Sequence, residues 1–88
     1  MLRITRRTGA ESAQTIQLEG KLLGPWVDEV REACAGAMAR SGRTRLDLAA
    51  VTFVDTAGVA LLRELIRQGV EIAACSDYVA ELLHGADA

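Results

Sequence analysis

Aromatic residues are nearly absent from this chain: one Trp, one Tyr and one Phe among 88 residues, although half of the chain is hydrophobic. The core must therefore be aliphatic. Cysteine is equally scarce. Cys34 and Cys75 lie far apart, each in an apolar context, which argues against a disulfide framework or a cysteine metal cluster and leaves two reduced core thiols as the expectation. Positive charge is not in excess. Ten Lys and Arg against twelve Asp and Glu give a net charge of −2, and the arginines alternate with acids, so the basic stripe that a nucleic-acid binder needs is missing. No apolar run approaches the roughly 20 residues of a membrane span, and Met1-Leu2-Arg3 is followed by no apolar signal core. A cytoplasmic chain that does not insert into a membrane is expected.

Catalytic constellations are also lacking. The one histidine, His84, falls in the last turn of the last expected helix, where it serves carbonyls or faces solvent. No glycine-rich phosphate loop of either common pattern is present, and no His, Asp and nucleophile come close in chain order. Asp55 with Thr56 is no catalytic pair without a base and an oxyanion site. The chain reads as a non-enzyme that needs no cofactor and no metal.

What is present is strong patterning. Eighty-eight residues suffice for one domain, residues 1–88, burying roughly 60–65% of the unfolded chain's surface. Leu2 to Arg6 alternates at the period of a half-buried strand, and after a turn mixture over Arg7 to Ala13 the alternation resumes at Thr15 to Glu19, predicting an antiparallel pair ended by Gly20. Gly24-Pro25 opens a helix, because proline at the first helical position forfeits no hydrogen bond. Trp26, Val27, Val30, Ala33, Cys34, Ala37 and Met38 fall on one side of it, with acids placed early, Arg40 late and Ser41-Gly42 as the stop. Thr44 to Ala49 is a strand with Leu46 and Leu48 on one face. Ala57 to Gln68 is a second helix closed by Gly69, Val70 to Ala73 alternates again, and Ser76 caps a last helix that ends before Gly85.

The expected order is β-β-α-β-α-β-α, an α/β fold. Gln17, Glu19, Arg45, Asp47 and Glu71 interrupt every later strand at period two, so one sheet face should be solvated, with all helices on the other. Right-handed crossovers place successive helices on one side only when strand order advances in one direction. A four-stranded mixed sheet in sequence order is expected, with the helices mainly on one face. Gln17, Arg45, Asp47 and Glu71 should lie on the open face, and Ile16, Leu18, Leu46, Leu48 and Ile72 beneath the helices.

The strand-to-helix handover at Asp55-Thr56-Ala57-Gly58 stands out. One of Asp55 and Thr56 should cap the following helix, a contribution of about 0.5–2 kcal/mol. The stretch "LDLAAVTFVDTAGVALL", Leu46 to Leu62, resembles the signature of the STAS domain family, an apolar strand, Asp-Ser/Thr-x-Gly, then an aliphatic helix. The element order is similar to the family's, and "EGKLLG" to its Gly-x-Leu turn, although Leu23 stands where antagonist members commonly carry an acid. The resemblance implies a bacterial regulatory module like the anti-sigma factor antagonists, acting through protein–protein binding in the regulation of transcription. It places Thr56 where antagonists carry the residue phosphorylated by an anti-sigma kinase. It likewise makes Asp55 the neighbouring acid, and Gly58 the glycine that lets a partner approach the helix start. The same resemblance leaves open a constitutive cytosolic STAS subunit docking on the ATPase of an ABC transporter.

The expected docking surface therefore comprises Asp55, Thr56, Ala57 and Gly58. The second helix extends it: its apolar stripe of Gly58, Val59, Leu61, Leu62, Leu65 and Ile66 spans roughly 160°, wider than a core-facing stripe requires. Val59 and Leu61, at the margins of that stripe, join the candidate partner-binding residues.

Overall fold

The computed structural model describes residues 2–8, 13–41 and 43–85, with the side chains of Ser41, His84 and Gly85 excepted. The element order is β1 (Leu2–Thr8), β2 (Gln14–Leu22), α1 (Gly24–Ser41), β3 (Thr44–Val54), α2 (Thr56–Arg67), β4 (Glu71–Cys75) and α3 (Asp77–Gly85). The four strands form one mixed sheet in the order β1-β2-β3-β4, with β1 antiparallel to β2 and the remaining pairs parallel. Both the order and the mixed pairing are as the alternation and crossover handedness required.

The core is aliphatic and lies between the sheet and the helices. Ile16, Leu18, Leu46 and Leu48 are fully buried from the sheet side, against Val30 and Cys34 of α1, Leu62 and Leu65 of α2 and Val79 of α3. On the other face Arg45 and Glu71 are exposed and Gln17 and Asp47 half-buried, matching the period-two reading. Ile72 is only partly buried, packed against the core's edge near α3. Cys34 is buried, and desolvation pushes its thiol up to about 11, so it stays protonated and inert.

Several boundaries differ from the sequence reading, for identifiable reasons. Strand β2 does not stop at Gly20 but continues to Leu22, and β3 runs to Val54. Between β2 and β3 the register slips twice, from Gln17 to Glu19 and from Gly20 to Lys21, so β3 takes up an extra residue each time. These bulges change the buried set from every second residue (Thr44, Leu46, Leu48) to every third (Val51, Val54), which hides the strand from a period-two template. Gly20, with φ of 105°, supplies a backbone conformation that other residues rarely adopt beside the second slip.

In α1 no acid lies in the first turn, since Asp28 and Glu29 fall in the second, while Arg40 does occupy the last. Helix α2 ends as read, with Gly69 at φ of 102° and the Val70 N–H returning to the Leu65 carbonyl while Gly69 N–H returns to Ile66. Ser76 does cap α3, its hydroxyl accepting from Val79 N–H at 3.3 Å, but the helix includes Gly85 rather than ending before it. The turn expected over Arg7 to Ala13 is shorter than read, because β1 continues through Arg7 and Thr8; its residues 9–12, the Gly42 stop and the His84 side chain lie outside the described residues.

A one-sided sheet has a direct mutational signature along β3. Leu46→Ala, at a fully buried position, should cost about 2–5 kcal/mol in urea unfolding, whereas Arg45→Ala next to it should stay within about 0.5 kcal/mol. Comparable losses at both positions would mean that the open face is not open.

Candidate functional site

The turn between β3 and α2 is built around the carboxylate of Asp55. Its backbone is extended, with φ −84° and ψ −179°, the conformation of a helix N-cap. Oδ1 accepts the Gly58 N–H at 2.8 Å, which caps α2. Oδ2 accepts the Gly24 N–H, also at 2.8 Å, and Gly24 is the first residue of α1. One side chain thus satisfies N–H groups at the starts of two helices, where the helix dipoles favour negative charge. The Asp55 N–H itself donates to the Leu22 carbonyl at 3.1 Å, pinning the turn to the end of β2. Capping falls to Asp55 and not to Thr56.

Gly58 is explained by contact inside the molecule. A Cβ built there would sit 2.7 Å from Val54 Cγ1 and 2.8 Å from the Leu22 carbonyl oxygen. The first turn of α2 therefore lies directly on the ends of β2 and β3, and Gly58 is buried. Its expected role of admitting a partner at the helix start is corrected to internal packing. Leu61 is corrected likewise. It is 1% exposed, because α1 and α3 both pack along α2 and cover the margins of its apolar stripe. Ile66, read as part of that stripe, is instead 42% exposed.

Thr56 and Ala57 are exposed and Val59 half-buried. Thr56 opens a shallow depression between α2 and α3, with Val59, Ala60, Arg63, Arg67 and Leu82 as its other walls. Sequence reasoning passed over the two arginines, although their spacing carried the signal: positions 56, 60, 63 and 67 recur along one face of a helix. It also passed over an aromatic pair. Phe53, two residues before Asp55 in the chain, and Tyr78 are two of the three aromatics; they are 44% and 41% exposed and stack at 6.5 Å between centroids. No periodic signal could link them, because β3 and α3 are brought together only by the fold.

On its α1-facing side α2 is tied by Glu64. Arg31 Nε donates to Glu64 Oε2 at 2.9 Å and also pairs with Asp28 at 2.8 Å. The hydrogen bond from Arg31 holds the Glu64 carboxyl below its ordinary value and raises the guanidinium. This link is complete above the ordinary carboxylate range and is lost as pH falls through the lowered value.

With the geometry in place, comparison with known proteins is decisive for the family. The family model described as "Mlab, STAS domain" matches residues 5–87, so the chain belongs to the STAS domain family. No curated protein matches it in sequence. Among solved structures, the anti-sigma factor antagonist SpoIIAA in its unphosphorylated form superposes with a TM-score of 0.76 at 18% identity, covering 97% of this chain and 81% of that one. An antisigma-factor antagonist STAS domain from Rhodobacter sphaeroides gives 0.58 at 17% identity over 90% of both chains. A DUF3478 protein with a SpoIIAA-like fold from Shewanella loihica gives 0.59 at 12% identity, over 88% of this chain and 70% of that one. At such identities these likenesses establish a shared fold.

The double cap and the close approach at Gly58 each predict a stability change. Asp55→Ala removes acceptors from two helix starts and should cost about 2–4 kcal/mol, while Asp55→Asn, which keeps one oxygen, should lose roughly half of that. Gly58→Ala should destabilise by about 1–3 kcal/mol in denaturant titrations, although Gly→Ala inside a helix ordinarily stabilises. A neutral or stabilising Gly58→Ala would mean that the helix start does not sit on Leu22 and Val54.

Proposed function

We propose that this STAS domain is a non-catalytic regulatory module that works by docking on a protein partner, and that the start of α2 is the centre of its docking surface. The observation that carries this reading is the division of labour in the turn. Asp55 performs the capping and Gly58 the packing, while Thr56 is exposed and is not the capping residue. The docking residues are then Thr56, Ala57 and Val59, with Asp55 and Gly58 shaping the turn beneath them. Leu61 is withdrawn from that set by its burial.

Thr56 is the candidate phosphoacceptor. A phosphate there would bring about −1.5 to −2 charge to the first turn of α2, a place that tolerates anions, so the domain itself would stay folded. The same charge would stand beside the Asp55 carboxylate and inside the docking contact, which weakens a complex. The likeness to anti-sigma factor antagonists supports a kinase-type partner.

A second reading has its own support. The matching family description names Mlab, and Leu23 occupies the place where antagonists commonly carry an acid. On that reading the domain is a constitutive cytoplasmic subunit that docks on a transporter ATPase through the same surface, and Thr56 is never modified.

Thr56→Glu should retain the thermal melt of the wild type, because an acid suits a first helical turn. It should weaken the partner complex at least tenfold, about 1.4 kcal/mol, whereas Thr56→Ser should bind nearly as wild type. Titration of each variant against an anti-sigma kinase and a transporter ATPase encoded beside the gene reads both the strength of binding and the partner class. Unchanged binding by Thr56→Glu would reduce the turn to a helix cap.

A further inference from the structure

Two of the three aromatic rings in this chain stay at the surface of a domain whose core is aliphatic, and only Trp26 packs against that core. The exposed rings, Phe53 and Tyr78, are nearly parallel, at 22°, with centroids 6.5 Å apart. That separation lies toward the outer end of the roughly 4.5–7 Å range of aromatic pairs, so the rings cover each other incompletely. Tyr78 stands in the first turn of α3 beside Asp77, and Glu81 follows one turn later. At about 3.6 residues per turn Asp77, Glu81 and Tyr78 fall within an arc of about 100°, and all three are exposed. Among the described residues neither Asp77 nor Glu81 forms a salt bridge. Lys21 stands opposite Phe53 in the sheet register, but on the β2 side of β3, whereas α3 follows β4 on the other side.

We infer that this patch receives an arginine side chain presented by the protein partner, its guanidinium stacking on Tyr78 and Phe53 while Asp77 and Glu81 supply the counter-charge. The inference rests on the docking reading above and extends that surface. Leu82, one turn beyond Tyr78 on α3, lines the depression that opens at Thr56, and Phe53 lies three residues before Thr56. The chemistry of the patch selects the residue. An aliphatic side chain would cover the rings but bring acids to the edge of an apolar contact without pairing them, which costs desolvation. An ammonium would meet the acids as a compact, strongly hydrated charge that gives up its water reluctantly to lie on a ring. A guanidinium is planar and weakly hydrated, it is drawn to the negative face of an aromatic ring, and its fork of donors matches a carboxylate. Arginine meets both halves of the patch.

NMR titration of the whole chain reads the patch directly, because its single Phe and single Tyr give unambiguous ring signals. The probe is a capped pentapeptide with a central arginine between leucines, compared with the same peptide carrying lysine or citrulline, the uncharged isostere of arginine. The arginine peptide should give saturable shifts of both rings and of the first amides of α3, and its own δ-methylene protons should move upfield under the ring currents. The lysine peptide should bind at least threefold more weakly and the citrulline peptide at least tenfold. Tyr78→Leu should weaken the arginine peptide at least tenfold and Glu81→Gln at least threefold, both at exposed positions and with the melt of the wild type. No binding, equal binding of the arginine and citrulline peptides, or shifts centred away from the rings would each overturn the assignment. Against the anti-sigma kinase or transporter ATPase encoded beside the gene, Tyr78→Leu should bind at least tenfold more weakly than the wild type. If Tyr78→Leu binds that partner normally while Thr56→Glu does not, the arginine assignment fails and the docking reading stands. If Thr56→Glu binds normally while Tyr78→Leu does not, the centre at Thr56 fails and the arginine assignment stands.

Discussion

The carboxylate of Asp55 accepts N–H groups from the first residue of α1 and the third of α2, two residues 31 and 3 positions away in the chain. Because the Asp55 N–H also reaches the Leu22 carbonyl, the ends of β2 and β3 and the starts of α1 and α2 converge on a single residue. The geometry of everything around the candidate site follows from that convergence. It draws the first turn of α2 down onto Leu22 and Val54, where only glycine fits at position 58. It also relieves Thr56, which is exposed, of any capping duty. An acid, a hydroxyl and a glycine in four residues are thus one turn, with two members spent on the fold and the third exposed.

The helices inherit their placement from the sheet. Strands laid down in sequence order with right-handed crossovers bring α1 and α2 onto the same face, and α3 packs beside α2. Arg31 and Glu64 fasten α1 to α2 on one side. On the other side α2 and α3 meet less completely, and there the molecule keeps its exposed Ile66 and its hollows. A domain with so few aromatics to fill space closes its core with leucine and valine, and what it cannot fill is left at this seam.

How much of this the sequence discloses depends on whether a contact is periodic or merely spatial. Alternation at Leu46 and Leu48, the Gly24-Pro25 start and the Gly69 stop are local and periodic, and they yield the strand order and the one-sided sheet. The bulges after Leu48 break the period, so the far halves of β2 and β3 were invisible to it. That Asp55 caps a helix is legible from its position, but its bond to Gly24 spans 31 residues and has no local sign. Leu61 and Ile66 were misplaced in opposite directions for one reason. The width of an apolar stripe reports how hydrophobic a helix is, whereas the neighbours on either side decide which edge is covered. Family resemblance supplied the interest in Thr56, and the geometry supplies the reason that Thr56 is available.

Hydrogen exchange at two amides tests the convergence on Asp55 most directly. In the wild type the N–H groups of Gly24 and Gly58 should both be protected, each held by one oxygen of the same carboxylate. In Asp55→Ala both should lose protection together, by at least tenfold more than the Leu46 amide in β3 loses. If Gly58 alone opens, or if neither does, Asp55 does not join the two helix starts, and the division of labour that frees Thr56 does not hold.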